Sequence, residues 1–136
     1  MKKYVIDTNV IIRYLLSNDK ELFKKARYFF DLLKMGKAKA HLEQTVFTEV
    51  IFILSKVYNV PKEEISRTLS NLLMLKGILN EERDILLESL QIYKNTNLHI
   101  VDCIIAAKCR THNIKPITFD EELKKITTKQ NLKEET

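Results

Sequence analysis

An α/β sandwich with a mostly parallel central sheet is the fold class that the sequence predicts, on three observations. Short β-rich runs alternate with longer stretches of helical periodicity. Only two Gly and two Pro interrupt 136 residues, so turns are few and helices dominate. Two of the β-rich runs stop at an aspartate, Asp7 and Asp120, where a strand in such a fold hands over at the carboxyl edge of the sheet. The length is close to that of one domain, and 45% hydrophobic with 30% charged residues is the balance of a folded chain, which excludes a disordered one. A single domain over residues 1–126 with a polar C-terminal tail over 127–136 is the expected organisation.

Each element has a local reason. Tyr4-Val5-Ile6 is a short β-rich run ending at Asp7, after which Thr8 and Asn9 open an apolar-periodic helix to about Leu16. Asn18 or Asp19 caps a second helix whose Leu22, Phe23, Phe29, Phe30 and Leu33 alternate with lysines, and Gly36 closes it. Ala38–Leu42 reads as a second strand. Thr45 precedes an apolar helix from Val46 to about Tyr58, in which Glu49 is the only acid. Pro61 starts a helix that Gly77 ends, and Asn80 caps another with Ile85, Leu86, Leu90 and Tyr93 on its inner side. These two read as a helical hairpin added to the core. Val101 to about His112 forms the most apolar helix, and Lys115–Phe119 reads as a final strand ending at Asp120.

Several classes are excluded. Asp7 and Arg13 interrupt any secretory h-region behind Met1-Lys2-Lys3, and no stretch reaches membrane-spanning length, so a cytoplasmic protein is expected. Cys103 and Cys109 lie about 120° apart around one helix, which prevents a mutual disulfide and predicts buried thiols. No Cys/His cluster offers a structural zinc site. The net charge of +5 leans towards a polyanionic partner, although its lysines and arginines are scattered.

Parallel strands share one carboxyl edge, and helices that leave or feed such strands also start there. That topology brings Asp7, Glu49, Asp102 and Asp120 to one rim, each flanked by core-type residues as in Phe-Thr-Glu49-Val-Ile-Phe and Ile-Val-Asp102-Cys-Ile-Ile. Carboxylates so flanked are expected to be poorly hydrated, and bringing four anions together adds repulsion. No Lys or Arg shares these contexts, whereas one or two hard divalent cations suit an all-oxygen shell, so Mg²⁺ or Mn²⁺ is the expected cofactor. Two such ions would activate a water against a phosphodiester. Purely structural explanations exist for each acid: Asp7 or Asp120 alone could cap a helix. An acid amid aliphatic residues, as at Glu49 and Asp102, is rarer without a partner, and a helix dipole supplies only about 0.3–1 kcal/mol. The joint pattern favours a site.

The ordered set resembles the PIN-domain family: Val5-Ile-Asp7-Thr-Asn-Val10, Glu49 in an apolar helix, Asp102-x-x-x-Ala106, and Thr118-x-Asp120-x-x-Leu123, covering nearly the whole chain. The resemblance implies a three-layer α/β/α sandwich around a short, mostly parallel sheet, and metal-dependent ribonuclease activity. Asp7, Glu49, Asp102 and Asp120 match the family's metal-binding acids, and Thr8, Asn9 and Thr118 match polar positions that orient carboxylates or ligand. A single-domain chain of this size looks like the VapC-type toxins, which implies an RNA substrate, a homodimer and a small antitoxin partner. Cys103-Ile-Ile and Lys108 depart from the smaller residues often found in that helix.

His99, three residues before Asp102, could shuttle a proton, but a hydrogen-bonded surface histidine is the simpler explanation; His41 and His112 lack acidic or Cys partners at metal spacing. Tyr4, Tyr14, Tyr28, Phe29 and Phe30 could stack bases, yet aromatics at helical spacing are usually core. A phosphotransferase working through an aspartyl-phosphate would need a second Asp where Asn9 stands, and a receiver would need adjacent acids where Thr8 stands. A PIN nuclease in RNA processing, or a silent RNA- or protein-binding scaffold, is a further alternative.

Overall fold

The structure, a computed structural model, describes residues 2–16 and 19–127. They belong to two compact units, Met1–Glu81 and Glu82–Thr136. The first holds β1 (Lys3–Val5), α1 (Thr8–Leu16), α2 (Lys20–Met35), β2 (Lys39–His41), α3 (Gln44–Lys56), α4 (Lys62–Leu73) and β3 (Ile78–Leu79). The strands form a parallel sheet in the order β1-β2-β3, with Tyr4 opposite Ala40 and Ala40 opposite Ile78. A pair of helices makes each crossover, as parallel pairing requires. The α/β fold with a short parallel sheet is therefore as the sequence predicts.

Burial follows the helical period. Ile11, Phe30, Leu33, Phe47, Val50, Ile65 and Leu69 are fully buried where α1 packs on α2 and α3, and α3 on α4. Tyr14 stacks on Phe30 with ring centroids 4.2 Å apart. Asp19 is the cap of α2, its Oδ1 accepting from the N–H groups of Glu21 at 3.0 Å and Leu22 at 3.1 Å; Asn18, the other candidate, lies outside the described residues. Gly36 ends the helix at φ 73°, a left-handed conformation that suits glycine.

Three local expectations fail in this unit. Thr45 is not the cap of α3: the helix starts at Gln44, preceded by Glu43 without a side-chain cap, and Thr45 O instead accepts from the Thr48 hydroxyl at 3.0 Å. The helix from Pro61 ends at Leu73, not at Gly77. Nor does the next helix follow it directly, as a hairpin would require, because β3 intervenes and pairs with β2. Gly77 serves a close approach instead. Its N–H donates to Leu33 O at 2.8 Å and its O accepts from Ala40 N at 2.9 Å, and a Cβ there would collide with the Ala38 carbonyl oxygen and stand 3.0 Å from Leu33 Cα.

The second unit holds α5 (Arg83–Asn95), α6 (Ile100–His112) and a helical stretch over 121–127. Leu86 and Leu90 of α5 are buried where it packs along α6, which buries Cys103, Ile104, Ala106 and Ala107. Both cysteines are buried thiols, as expected, and burial pushes the Cys109 thiol above the ordinary cysteine pKa. Asn113 ends α6 in the left-handed region, its N–H donating to Cys109 O. Asn80 makes no cap: α5 starts at Arg83, and the buried Asn80 Nδ2 has no partner. The final strand expected over Lys115–Phe119 does not form. Residues 114–118 carry no regular structure, and Ile117 and Phe119 are 101% and 100% exposed. Alternation alone does not make a strand, since its backbone groups need a ladder, and Pro116 offers no N–H to one. Thr127, placed by the sequence in the polar tail, is buried at the last described helical position and donates to Leu123 O at 3.2 Å. The remaining tail, 128–136, lies outside the described residues.

Candidate active site

Asp7 lies just beyond the carboxyl end of β1, exposed, with Val10 N donating to its main-chain oxygen at 3.1 Å as α1 begins. Thr8 is buried beneath it at 5% exposure, and Asn9 is exposed. Asp7 and Asn9 line a groove of about 570 Å³ together with Tyr4, Phe29, Arg13 and Lys25. The ring of Tyr4 meets Phe29 edge-on, with centroids 5.5 Å apart. An apolar floor, a carboxylate and two cations thus border one concave surface. Glu49 is the sixth residue of α3, which leaves the same carboxyl edge from β2, so it lies about 7–8 Å along the helix from the first residue.

In the second unit Asp102 is half-buried in the first turn of α6, three residues after His99, which precedes the helix as its N-cap position and makes no side-chain cap. Asp120 is exposed and opens the helical stretch 121–127: its Oδ1 accepts from Leu123 N at 2.9 Å. Thr118 Oγ1 accepts from the Asp120 N–H at 3.0 Å, which fixes the backbone at that aspartate.

Poor hydration, expected of all four acids, is overturned for three: Asp7, Glu49 and Asp120 are exposed, and only Asp102 is half-buried. Neighbours in sequence are not neighbours on a helix surface. In α3 the residues beside Glu49 divide between faces, with Phe47, Val50 and Ile51 buried while Glu49 and Phe52 face outward. Among the described residues the carboxylates of Asp7, Glu49 and Asp102 have no hydrogen bond or ion pair, whereas Asp31, Glu82, Glu88 and Glu121 each meet a Lys or Arg. As donors they suit a hard divalent cation. No three His, Cys, Asp or Glu side chains among the described residues form a group that could hold a metal ion; Asp7 and Glu49 belong to one unit, Asp102 and Asp120 to the other.

Two features escape a sequence reading. Lys25, a helical lysine like its neighbours, turns out to border the groove of Asp7. Arg110 gathers contacts from residues far along the chain, donating through Nη1 to Glu88 Oε1 and through Nη2 to Ile126 O, each at 3.3 Å. Lys108, by contrast, is held 3.7 Å from Glu82.

Comparison with known proteins agrees with this arrangement of elements. The chain is 23% identical over 123 residues, 90% of its own length and 90% of the relative's, to a protein of Aquifex aeolicus (strain VF5) named VapC ribonuclease. No solved structure gives a significant match. The family model described as PIN domain matches residues 4–129, nearly the whole described chain from β1 to the final helical stretch, and the protein is therefore a member of the PIN domain family.

Proposed function

We propose that this chain is a divalent-metal-dependent endoribonuclease that hydrolyses RNA phosphodiester bonds, and that it acts in the cytoplasm as the toxin of a toxin–antitoxin pair. The observation that carries the reading is the ordered set of acids in a PIN-family chain, three of which, Asp7, Glu49 and Asp102, form no ion pair among the described residues. The Aquifex relative's name, VapC ribonuclease, supports the same substrate class.

Asp7, Glu49, Asp102 and Asp120 would hold Mg²⁺ or Mn²⁺ through carboxylate oxygens. Such an ion, when bound, supplies an activated water and neutralises charge on the leaving oxygen. Thr118 steadies the Asp120 backbone, and Thr8, buried beside Asp7, leaves that aspartate at the mouth of the groove. Arg13 and Lys25 give an RNA phosphate a cationic border there. An antitoxin would inhibit by placing a guanidinium among the carboxylates, where paired charge-assisted hydrogen bonds compete with the ion. A homodimer is the proposed assembly, testable by sedimentation.

RNA cleavage by the purified chain decides the matter. It should cease in excess EDTA and return with Mg²⁺ or Mn²⁺, while the folded protein melts at a higher temperature with metal than without. Undiminished cleavage in EDTA would remove the metal mechanism. A silent, RNA-binding scaffold is the second reading, favoured by the apolar groove beside Asp7 that Arg13 and Lys25 border with positive charge. RNA binding without cleavage under any divalent cation would establish it instead.

A further inference from the structure

We propose that Arg110 is a positioning residue for Asp102 and Asp120, an inference that rests on the metal-nuclease reading above. Asp102 and Arg110 are both on α6, eight positions apart, so about 12 Å of rigid helix separates them. The Arg110 side chain, 19% exposed, reaches Glu88 Oε1 on α5 and Ile126 O, both at 3.3 Å. Ile126 belongs to the helical stretch whose first turn Asp120 caps through Leu123 N at 2.9 Å. One side chain therefore joins the helix that carries Asp102 to the helix that starts at Asp120. Near the other end of that stretch Glu122 Oε1 accepts from Asn97 N at 3.2 Å.

The chemistry of the link favours arginine specifically. Its two terminal nitrogens serve two acceptors at a fixed angle, while Nε stays buried without a partner, so the terminal contacts alone orient the group. A lysine ammonium is a point charge and cannot reproduce that planar fork. With the fork lost, the 121–127 helix loses this link to α6 and keeps the Glu122–Asn97 bond, so the spacing of the two carboxylates is held less tightly.

Mn²⁺ binding without RNA, followed by electron spin resonance, together with steady-state cleavage, tests this on wild type, Arg110→Lys, Glu88→Gln and Asp102→Asn. Arg110→Lys should raise the Mn²⁺ concentration for half occupancy about tenfold and lower kcat similarly, the usual scale for a group that orients a ligand. KM for RNA should not move. Glu88→Gln, which keeps Arg110 but weakens its anchor, should shift occupancy in the same direction by less. Wild-type Mn²⁺ binding and turnover in Arg110→Lys would overturn the proposal even if its melting temperature falls; should that variant not fold, an unchanged Glu88→Gln overturns it equally. Normal Mn²⁺ binding by Asp102→Asn is a different result: it defeats the metal reading itself.

Discussion

The nuclease reading gives Asp120 a second duty beside its helix cap, and a pair of substitutions separates the two. Its Oδ1 accepts from Leu123 N at 2.9 Å, a helix cap, and the nuclease reading also makes it a metal ligand. Asparagine caps as well as aspartate, so Asp120→Asn keeps the hydrogen bond and loses only a charge near an exposed helix start, about 0.3–1 kcal/mol. Alanine loses the cap as well, about 1 kcal/mol more, which in a chain of this size lowers the melting temperature by about 3–5 °C. Activity should ignore that difference. Both variants should lose at least about a hundredfold in cleavage rate, since even groups one step removed from a metal cost 10–100-fold. Thermal melts in EDTA, paired with cleavage of a fluorescent RNA at saturating Mg²⁺, read the two effects independently. Full activity in Asp120→Asn with a stability loss confined to Asp120→Ala would show a cap and nothing else, and would refute the assignment.

Further expectations concern packing, ionisation and RNA. Gly77→Ala should cost about 1–3 kcal/mol, because the added methyl meets the Ala38 carbonyl and Leu33 backbone with no flexible side chain to move aside; an unchanged melting temperature would contradict the close approach. Burial holds the Cys109 thiol above its ordinary pKa, so the folded state keeps its proton longer than the unfolded one. Its contribution is complete below the unfolded value of about 8.5 and is lost as pH rises through the folded value, so alkaline melts of wild type should fall more steeply than those of Cys109→Ala. In the inactive Asp102→Asn background, Lys25→Gln should reduce the slope of log affinity for single-stranded RNA against log salt by about 0.7, one phosphate contact; an unaltered slope removes Lys25 from the interface.

Much of this fold is written locally. Asp19, Gly36 and the apolar period between them specify α2 completely, because cap, αL terminator and buried stripe all lie within one segment. β3 is different. Ile78-Leu79 is too short to show alternation and becomes a strand only because Gly77 lets the chain pass against Ala38 and Leu33, more than thirty-five residues away for each. The run Lys115–Phe119 errs the other way: its pattern suits a strand, but pairing is not a local property. Of the four proposed site acids, Asp7, Glu49, Asp102 and Asp120, the sequence shows type and order, whereas the exposure of Asp7, Glu49 and Asp120 is not legible in it. Flanking residues in sequence describe a helix's neighbours at about 100° to either side, and at Glu49 the Val50 direction leads into the core while the acid leads out.

The bare segment before Asp120 has a consequence for the protein's lifetime. Ile117 and Phe119 stand wholly in solvent on backbone without regular structure, which is the form in which an endoprotease accepts a substrate. Scission there would leave Asp102 on one fragment and Asp120 on the other, severing the peptide connection between two of the proposed ligands in a single event. The bond most open to digestion thus lies immediately ahead of Asp120, outside every helix of the described residues.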